Sequence, residues 1–309
     1  MARTPDTRSV IAAPGPWRHR YLAANGARFH VAESLPASGG DAPLVLLLHG
    51  FPEFWWSWRA QLPVLAKADY RAVAMDLRGY GGSDKPPRGY DPFTLAGDVS
   101  GVIKALGARS AALVGHGWGG YVGWATSALH PQEVSMLCAV SAPHPQAMLR
   151  DLRSGRRMRA LQHIVSMQVP MVPEWRLSDP ARGFLRSHLT SWSSPDSSFP
   201  DDDTVAAYQQ ALSLWPAPHC ALEYHRWLVR SRLRSDGRRF NQVMAAPTSQ
   251  PVCTIHGTDD PALAANTSAR SAQHVRGTFS HQLVARAGHF PHEEQPEAFN
   301  DVLLGWLGH

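Results

Sequence analysis

Lysine and cysteine are both scarce in this chain of 309 residues, and no long apolar run interrupts it. The three cysteines, Cys138, Cys220 and Cys253, form no disulfide framework. Cys138 and Cys253 fall in strand-like runs and read as small core residues, so the expectation is a reduced, cytoplasmic protein. The lack of any stretch of about 18 apolar residues excludes a membrane-spanning helix. Met1 to Pro16 lacks the apolar segment of a secretory signal. Lys67, Lys85 and Lys104 are the only lysines, so the net charge of +5 comes from arginine. Arginines gather at Arg150, Arg153, Arg156, Arg157 and Arg159, and again from Arg226 to Arg239. Without aromatic–basic interleaving or a groove-reading motif they read as a solvated surface, and no nucleic-acid partner is expected.

The chain is long enough for one large domain or a core with an insertion, and 44% hydrophobic residues can fill that core. Tyr21 to Val31 reads as a hairpin, because Asn25-Gly26 suits a type I′ turn. Buried-strand runs follow at Leu44–Leu48, Ala72–Met75, Ser110–Val114 and Val252–Ile255, with a sixth strand in the Val134–Pro145 stretch. Helical stretches stand between them at Trp55–Ala68, Thr94–Leu106 and Tyr121–His130, with Thr94 a candidate N-cap. This alternation predicts a mostly parallel, doubly wound α/β sheet with active residues at strand C-terminal ends. It stops after the sixth strand. Helical stretches at Met148–Gln168, Ala181–Trp192, Thr204–Leu214 and Cys220–Leu233, punctuated by prolines, predict an inserted helical cap. The expected division is a core of residues 1–142 and 247–309 with a cap of residues 143–246.

One more absence concerns chemistry. Gly115-His-Gly-Trp-Gly-Gly120 follows an apolar strand and precedes an apolar helix, the setting of a nucleophile elbow. The nucleophile position is Gly117, which has no side chain to attack with. Shifting the register to His116 or Trp118 offers no carboxylate, hydroxyl or thiol, and His116 reads as structural.

Four further motifs stand at strand ends in order: His49-Gly-Phe-Pro-Glu53, Asp76-Leu-Arg-Gly-Tyr-Gly-Gly-Ser-Asp-Lys-Pro86, His256-Gly-Thr-Asp-Asp-Pro261 and Gly288-His-Phe-Pro-His-Glu-Glu-Gln-Pro296. With the elbow, they make the chain resemble the α/β-hydrolase superfamily, and its epoxide-hydrolase branch in particular. The resemblance implies that His289 is a general base. It also implies that Asp260 orients His289, with Asp259 as the alternative acid. The oxyanion hole is expected from the backbone N–H groups of Phe51 and Trp118, which do not depend on residue 117. Trp118 and Trp55 are candidate pocket walls, with core packing the equal alternative for Trp55. Asp76 and Arg78 read as loop braces. His292 near His289 is not a zinc pattern, so neither metal nor other cofactor is expected.

The resemblance has two departures. Epoxide hydrolases open the ring with an elbow aspartate, which Gly117 replaces. They also hold the epoxide oxygen with cap tyrosines. In Ala221-Leu-Glu-Tyr-His-Arg-Trp227 that position falls on His225, with Tyr224 one residue, or about 100° of helix, away. His225 is therefore a candidate hydrogen-bond donor to substrate, and Tyr224 a less well-placed one. Near Ser166–Pro170, where the second tyrosine belongs, there is none. Two functions follow: a hydrolase of a small apolar epoxide or ester-like substrate working without a covalent step, or an impaired hydrolase that binds a small apolar ligand. The partner expected is a small molecule, and a homodimer is compatible with the chain.

Overall fold

A computed structural model describes residues 10–153 and 158–308. Most of the Met1–Pro16 stretch, Arg156 and Arg157, and the side chains of Arg153 and Arg159 lie outside the described residues. The hairpin β1 (Arg18–Ala24) and β2 (Ala27–Ser34) turns at Asn25 and Gly26, with φ of 45° and 72°. A type I′ turn needs this pair of positive φ values. The remaining strands are β3 (Leu44–Leu48), β4 (Arg71–Met75), β5 (Ala111–His116), β6 (Val134–Val140), β7 (Val252–Gly257) and β8 (Phe279–Val284). Among the described residues they form one eight-stranded sheet in the order β1-β2-β4-β3-β5-β6-β7-β8. From β4 to β8 every neighbouring pair is parallel, and only the β1–β2 and β2–β4 pairs are antiparallel. Every residue of β3, β4, β5 and β7 is buried, as strands covered on both faces require.

Helices α1 (Gln61–Lys67), α2 (Pro92–Ala105) and α3 (Trp118–Leu129) follow β3, β4 and β5. The stretch expected as one helix from Trp55 divides into a 3₁₀ turn at Trp55–Trp58 and α1. Thr94 is not the cap of α2. Asp91 accepts from the N–H groups of Phe93 and Thr94, and Pro92 opens the helix, where its missing N–H costs nothing. Between β6 and β7 lie α4 (Pro145–Arg153), α5 (Met158–Ser166), α6 (Val172–Ser178), α7 (Phe184–Trp192), α8 (Asp202–Leu212), α9 (Ala217–Arg230) and α10 (Ser235–Val243). No described residue of that span is in a strand. Not all of its arginines are solvated: Arg226 is buried, 2.7 Å from Glu174 and 3.4 Å from Glu223. A buried guanidinium of this kind needs its carboxylates. No described helix is long and apolar enough to cross a membrane.

Sheet order reverses around β3, and β3 and β5 carry the two loops where the site assembles. The elbow packs there by close backbone contact. A Cβ on Gly119 would lie 2.1 Å from the carbonyl oxygen of Leu48, and one on Gly120 2.3 Å from Cβ of Ala142. Gly117 differs. A Cβ there would meet only Cα of Gly50 at 3.7 Å and Nε2 of His289 at 3.9 Å, which are ordinary contacts. The backbone, at φ 51° and ψ −113°, disfavours a side chain, but the space admits one.

These distances give opposite expectations for two glycine-to-alanine changes. Gly119→Ala must push β3 and α3 apart and is expected to cost about 3 kcal/mol or more. Gly305→Ala, exposed with nothing within 4 Å in the last helix, is expected to gain about 0.5–1 kcal/mol. Urea unfolding of both variants checks the pair, and equal midpoints would contradict the packing described.

Candidate active site

His289 sits in the turn between β8 and the last two helices, close to the elbow. Its Nδ1 lies 2.9 Å from Oδ2 of Asp260, which follows β7. Because the carboxylate only accepts, Nδ1 carries the proton and Nε2 holds the lone pair. That Nε2 is the atom facing the place a residue-117 side chain would take. Asp260 is itself fixed: Oδ1 accepts from the N–H groups of Ala262 and Leu263 at 2.8 and 2.9 Å, and His256 lies 3.0 Å from Oδ2. Burial opposes its charge, but the charge of His289 and hydrogen bonds from His256 and His289 outweigh burial and hold its carboxyl far below the usual range. Burial lowers His289 below its ordinary value, although Asp260 pulls the other way. Asp259 points elsewhere, accepting from the Ser194 hydroxyl at 2.7 Å.

The second component is backbone. α3 begins at Trp118, so the N–H of Trp118 has no intrahelical partner. Phe51 stands just past β3 in the facing loop. Among the described residues neither N–H has an acceptor. Both residues line a cavity of about 100 Å³ with Gly117, Ser141, His163 and His289.

His116 ties these loops together. Its Nδ1 lies 2.9 Å from Oε2 of Glu53 and its Nε2 2.9 Å from the carbonyl of His289. Both partners are acceptors, so both ring nitrogens carry protons and the ring is an imidazolium. Burial works against that charge, but Glu53 outweighs it and raises His116 above its ordinary value. Oε2 of Glu53 also accepts the N–H of Gly50 at 2.6 Å. Among the described residues Glu53, His116 and His292 are the group whose ligand atoms converge, within 4.8 Å. With both nitrogens of His116 committed as donors, this group offers a cation no lone pair from that ring.

On the cap side the structure corrects three expectations. Trp55 is fully buried away from the cavity, its indole N–H donating to Ile11 O at 2.9 Å and its ring edge-on to Trp17. Tyr224 is buried too, and its hydroxyl donates to Arg78 O at 2.8 Å, which turns it from the site. His225 does line the cavity but is not the donor. The Trp118 indole N–H reaches its Nε2 at 3.1 Å, so that nitrogen must accept, while Nδ1 is 3.3 Å from Ala221 O. Sequence reasoning missed His163, His188 and Trp192, which come from α5 and α7. Nε2 of His163 is 3.1 Å from the same nitrogen of His225, so His163 carries an N–H there. Its partner's lone pair is already shared with the indole, so this N–H can be diverted to a ligand on the cap side of the pocket. No local motif marks it. Asp76 and Arg78 are braces: Asp76 accepts from Trp55 N and Gly82 N, and Arg78 pairs with Asp98 at 2.6 Å.

The family of the α/β-hydrolase fold matches residues 43–296. The chain belongs to that family. It is 32% identical to epoxide hydrolase 3 of Xenopus tropicalis over 92% of this chain and 75% of the relative. It is 32% identical to epoxide hydrolase A of Mycobacterium tuberculosis over 93% and 96%. The crystal structure of epoxide hydrolase A from Mycobacterium thermoresistibile superposes with a TM-score of 0.78 at 26% identity, covering 94% of this chain and 98% of that one. The chain is thus an epoxide-hydrolase-like member of the family.

The cap histidines have a thermodynamic signature. Burial holds His163 down to about 4, and His188 and His225 well below their ordinary value. The unfolded chain binds protons at these rings below about pH 6.5, and the folded chain does not. Stability is therefore full above that pH and falls as pH drops toward 4, by about 1.4 kcal/mol per pH unit for each ring. His116, raised in the fold, opposes this only above about pH 6.5, where the unfolded ring has lost its proton and the folded ring keeps it. The urea midpoint is expected to drop between pH 7.5 and pH 5. His188→Phe is expected to shallow the drop, and an unchanged midpoint would contradict neutral burial.

Proposed function

We propose that the protein hydrolyses a small apolar epoxide or ester-like substrate, with water in place of the missing side chain as the attacking group. The observation that carries this is Nε2 of His289. Its lone pair faces unobstructed space at residue 117, while Asp260 holds the other nitrogen. His289 takes the proton of a water standing there, and Asp260 fixes the tautomer and steadies the imidazolium. With an ester, the tetrahedral oxyanion falls to the N–H groups of Phe51 and Trp118. With an epoxide, the ring oxygen faces the cap and takes the hydrogen bond of His163.

The size of the cavity supports a small substrate. Its volume of about 100 Å³ is below the ~150 Å³ that holds a benzene in an apolar protein cavity. A second, largely apolar cavity of about 320 Å³ shares Tyr121, Met148, Ile164 and Leu228 with it and gives room for a substituent. The chain division at residues 142/143 and 246/247 serves this reading, since helices across the strand ends keep bulk water from the site.

Turnover of styrene oxide and of 4-nitrophenyl acetate tests the proposal. His289→Ala is expected to lower kcat/KM by about 10²-fold or more, and Asp260→Asn by a comparable factor. Because the neutral ring is the active form and burial lowers His289, kcat/KM should rise with pH to a plateau reached from a midpoint below about 6.5. Saturable binding of the same compounds with no His289-dependent turnover would instead make the protein a receptor for a small apolar ligand.

A further inference from the structure

We propose that the space at Gly117 is a binding site for a small free carboxylate, such as formate or acetate, which supplies the missing nucleophile for epoxides. This rests on the hydrolytic reading of the same site.

Water and carboxylate differ in what the site offers them. The N–H groups of Phe51 and Trp118 have no acceptor among the described residues, and a water attacking an epoxide carbon generates no oxyanion for them. A carboxylate fills them at once. Around the place of a residue-117 Cβ the nearest groups outside the elbow stand at ordinary contact distance, 3.7 Å to Gly50 Cα and 3.9 Å to His289 Nε2, so the way from the cavity to Gly117 is open. An acetate brings the carboxylate of an aspartate, set further into the cavity by the van der Waals distance that an unbonded methyl keeps from Gly117 Cα. It also avoids forcing a side chain onto a backbone at φ 51°.

The lining independently asks for a polar ligand. Ser141 is completely buried and lines this cavity, yet its hydroxyl has no hydrogen-bond partner among the described residues. His188, 7% exposed, lines it as well, and its Nε2 also has none. Buried polar atoms without partners are uncommon and mark an unfilled place. No carboxylate lines the cavity to repel an anion, because residue 117 supplies none and Asp260 stands behind His289.

The chemistry balances. A carboxylate oxygen bonds to an epoxide carbon as the ring C–O bond breaks. The alkoxide, hydrogen-bonded to His163, takes up a solvent proton and leaves a hydroxyalkyl ester. Water then gives a proton to Nε2 of His289 and its oxygen to the ester carbonyl. The acyl C–O bond breaks, the leaving oxygen recovers the proton from His289, and the acid formed releases one to solvent. The net change is epoxide plus water to diol, with the carboxylate regenerated and one of its oxygens left on the diol.

The test is styrene oxide turnover by the chain as it stands, in sodium acetate against sodium chloride of equal ionic strength. A saturable acetate-dependent increase of tenfold or more is expected, together with transfer of ¹⁸O from doubly labelled acetate to the diol. Gly117→Asp should turn over without acetate and lose both effects, since its own carboxylate occupies the site. His289-dependent turnover with no acetate effect and no label in the diol would overturn this inference and leave direct water attack standing. Stimulation without label transfer would also overturn it, because the carboxylate would then not be the nucleophile. Absence of turnover in either salt, with an active Gly117→Asp, would overturn the inference and the hydrolytic reading together.

Discussion

One buried imidazolium holds three loops in register, and the site depends on it. His116 ends β5, so its position is set by the sheet. From there it donates to Glu53 in the loop after β3 and to the carbonyl of His289 in the loop after β8. These loops carry Phe51, the elbow and His289. Each is joined to the others by a charged or charge-assisted bond inside the protein, where such bonds are strong and their loss costly. The charge on Glu53 is stabilised in turn: burial disfavours it, but His116 and His292 outweigh burial and hold its carboxyl well below the usual range. Pro52 and the Gly50 N–H confine the same loop from the other side. None of these contacts involves a side chain at residue 117. That is the physical reason the rest of the site keeps its form around a glycine.

The glycine changes the electrostatics more than the shape. An aspartate at 117 would place a second carboxylate against His289 and favour the imidazolium. Without it, only Asp260 opposes the burial of the ring, and burial wins. His289 is thus kept neutral, with a lone pair on Nε2. Three further rings in the cavity, His163, His188 and His225, are also kept neutral by burial. The pocket therefore has no fixed charge of either sign on its walls, while the two N–H groups and a helix N-terminus give its floor a positive potential. A neutral substrate enters such a pocket with little desolvation penalty, and an anion meets donors without a competing carboxylate.

The core was legible because its constraints are local. Apolar runs such as Leu44–Leu48 can only be covered strands, and Gly115, Gly119 and Gly120 stand where a Cβ would strike backbone or a packed methyl. Asp260 against His289 was what the family resemblance implied, with Asp259 as the alternative, and the structure brings Asp260 to the ring. The cap resisted the same reading. Whether Tyr224 or His225 faces the substrate depends on the rotation of α9 about its axis, and α9 is fixed by contacts that no neighbouring residue announces. Arg226 pairs with Glu174 on α6, and the Tyr224 hydroxyl bonds to Arg78 in the core. His163 and His188 come from different helices separated by a further one, so their convergence exists only after folding. Trp55 was an even choice between pocket and core, and its N–H bond to Ile11 decided for the core.

The cap histidines carry the remaining argument. The cap helices present imidazoles to this pocket, and an imidazole is both donor and acceptor where a phenol is chiefly a donor to a developing alkoxide. The Trp118 indole shares the lone pair of His225 with His163, which fixes the His225 ring between the two donors. The same Trp118 offers its backbone N–H to the oxyanion side of the cavity. One residue at the start of α3 therefore sets the polarity of both walls, the floor through its main chain and the cap through its indole. Movement of α3 relative to the cap would misalign both at once. The tight glycine contacts between α3 and β3 oppose such movement, so the packing that makes the elbow sharp also keeps the two polar walls of the pocket in alignment.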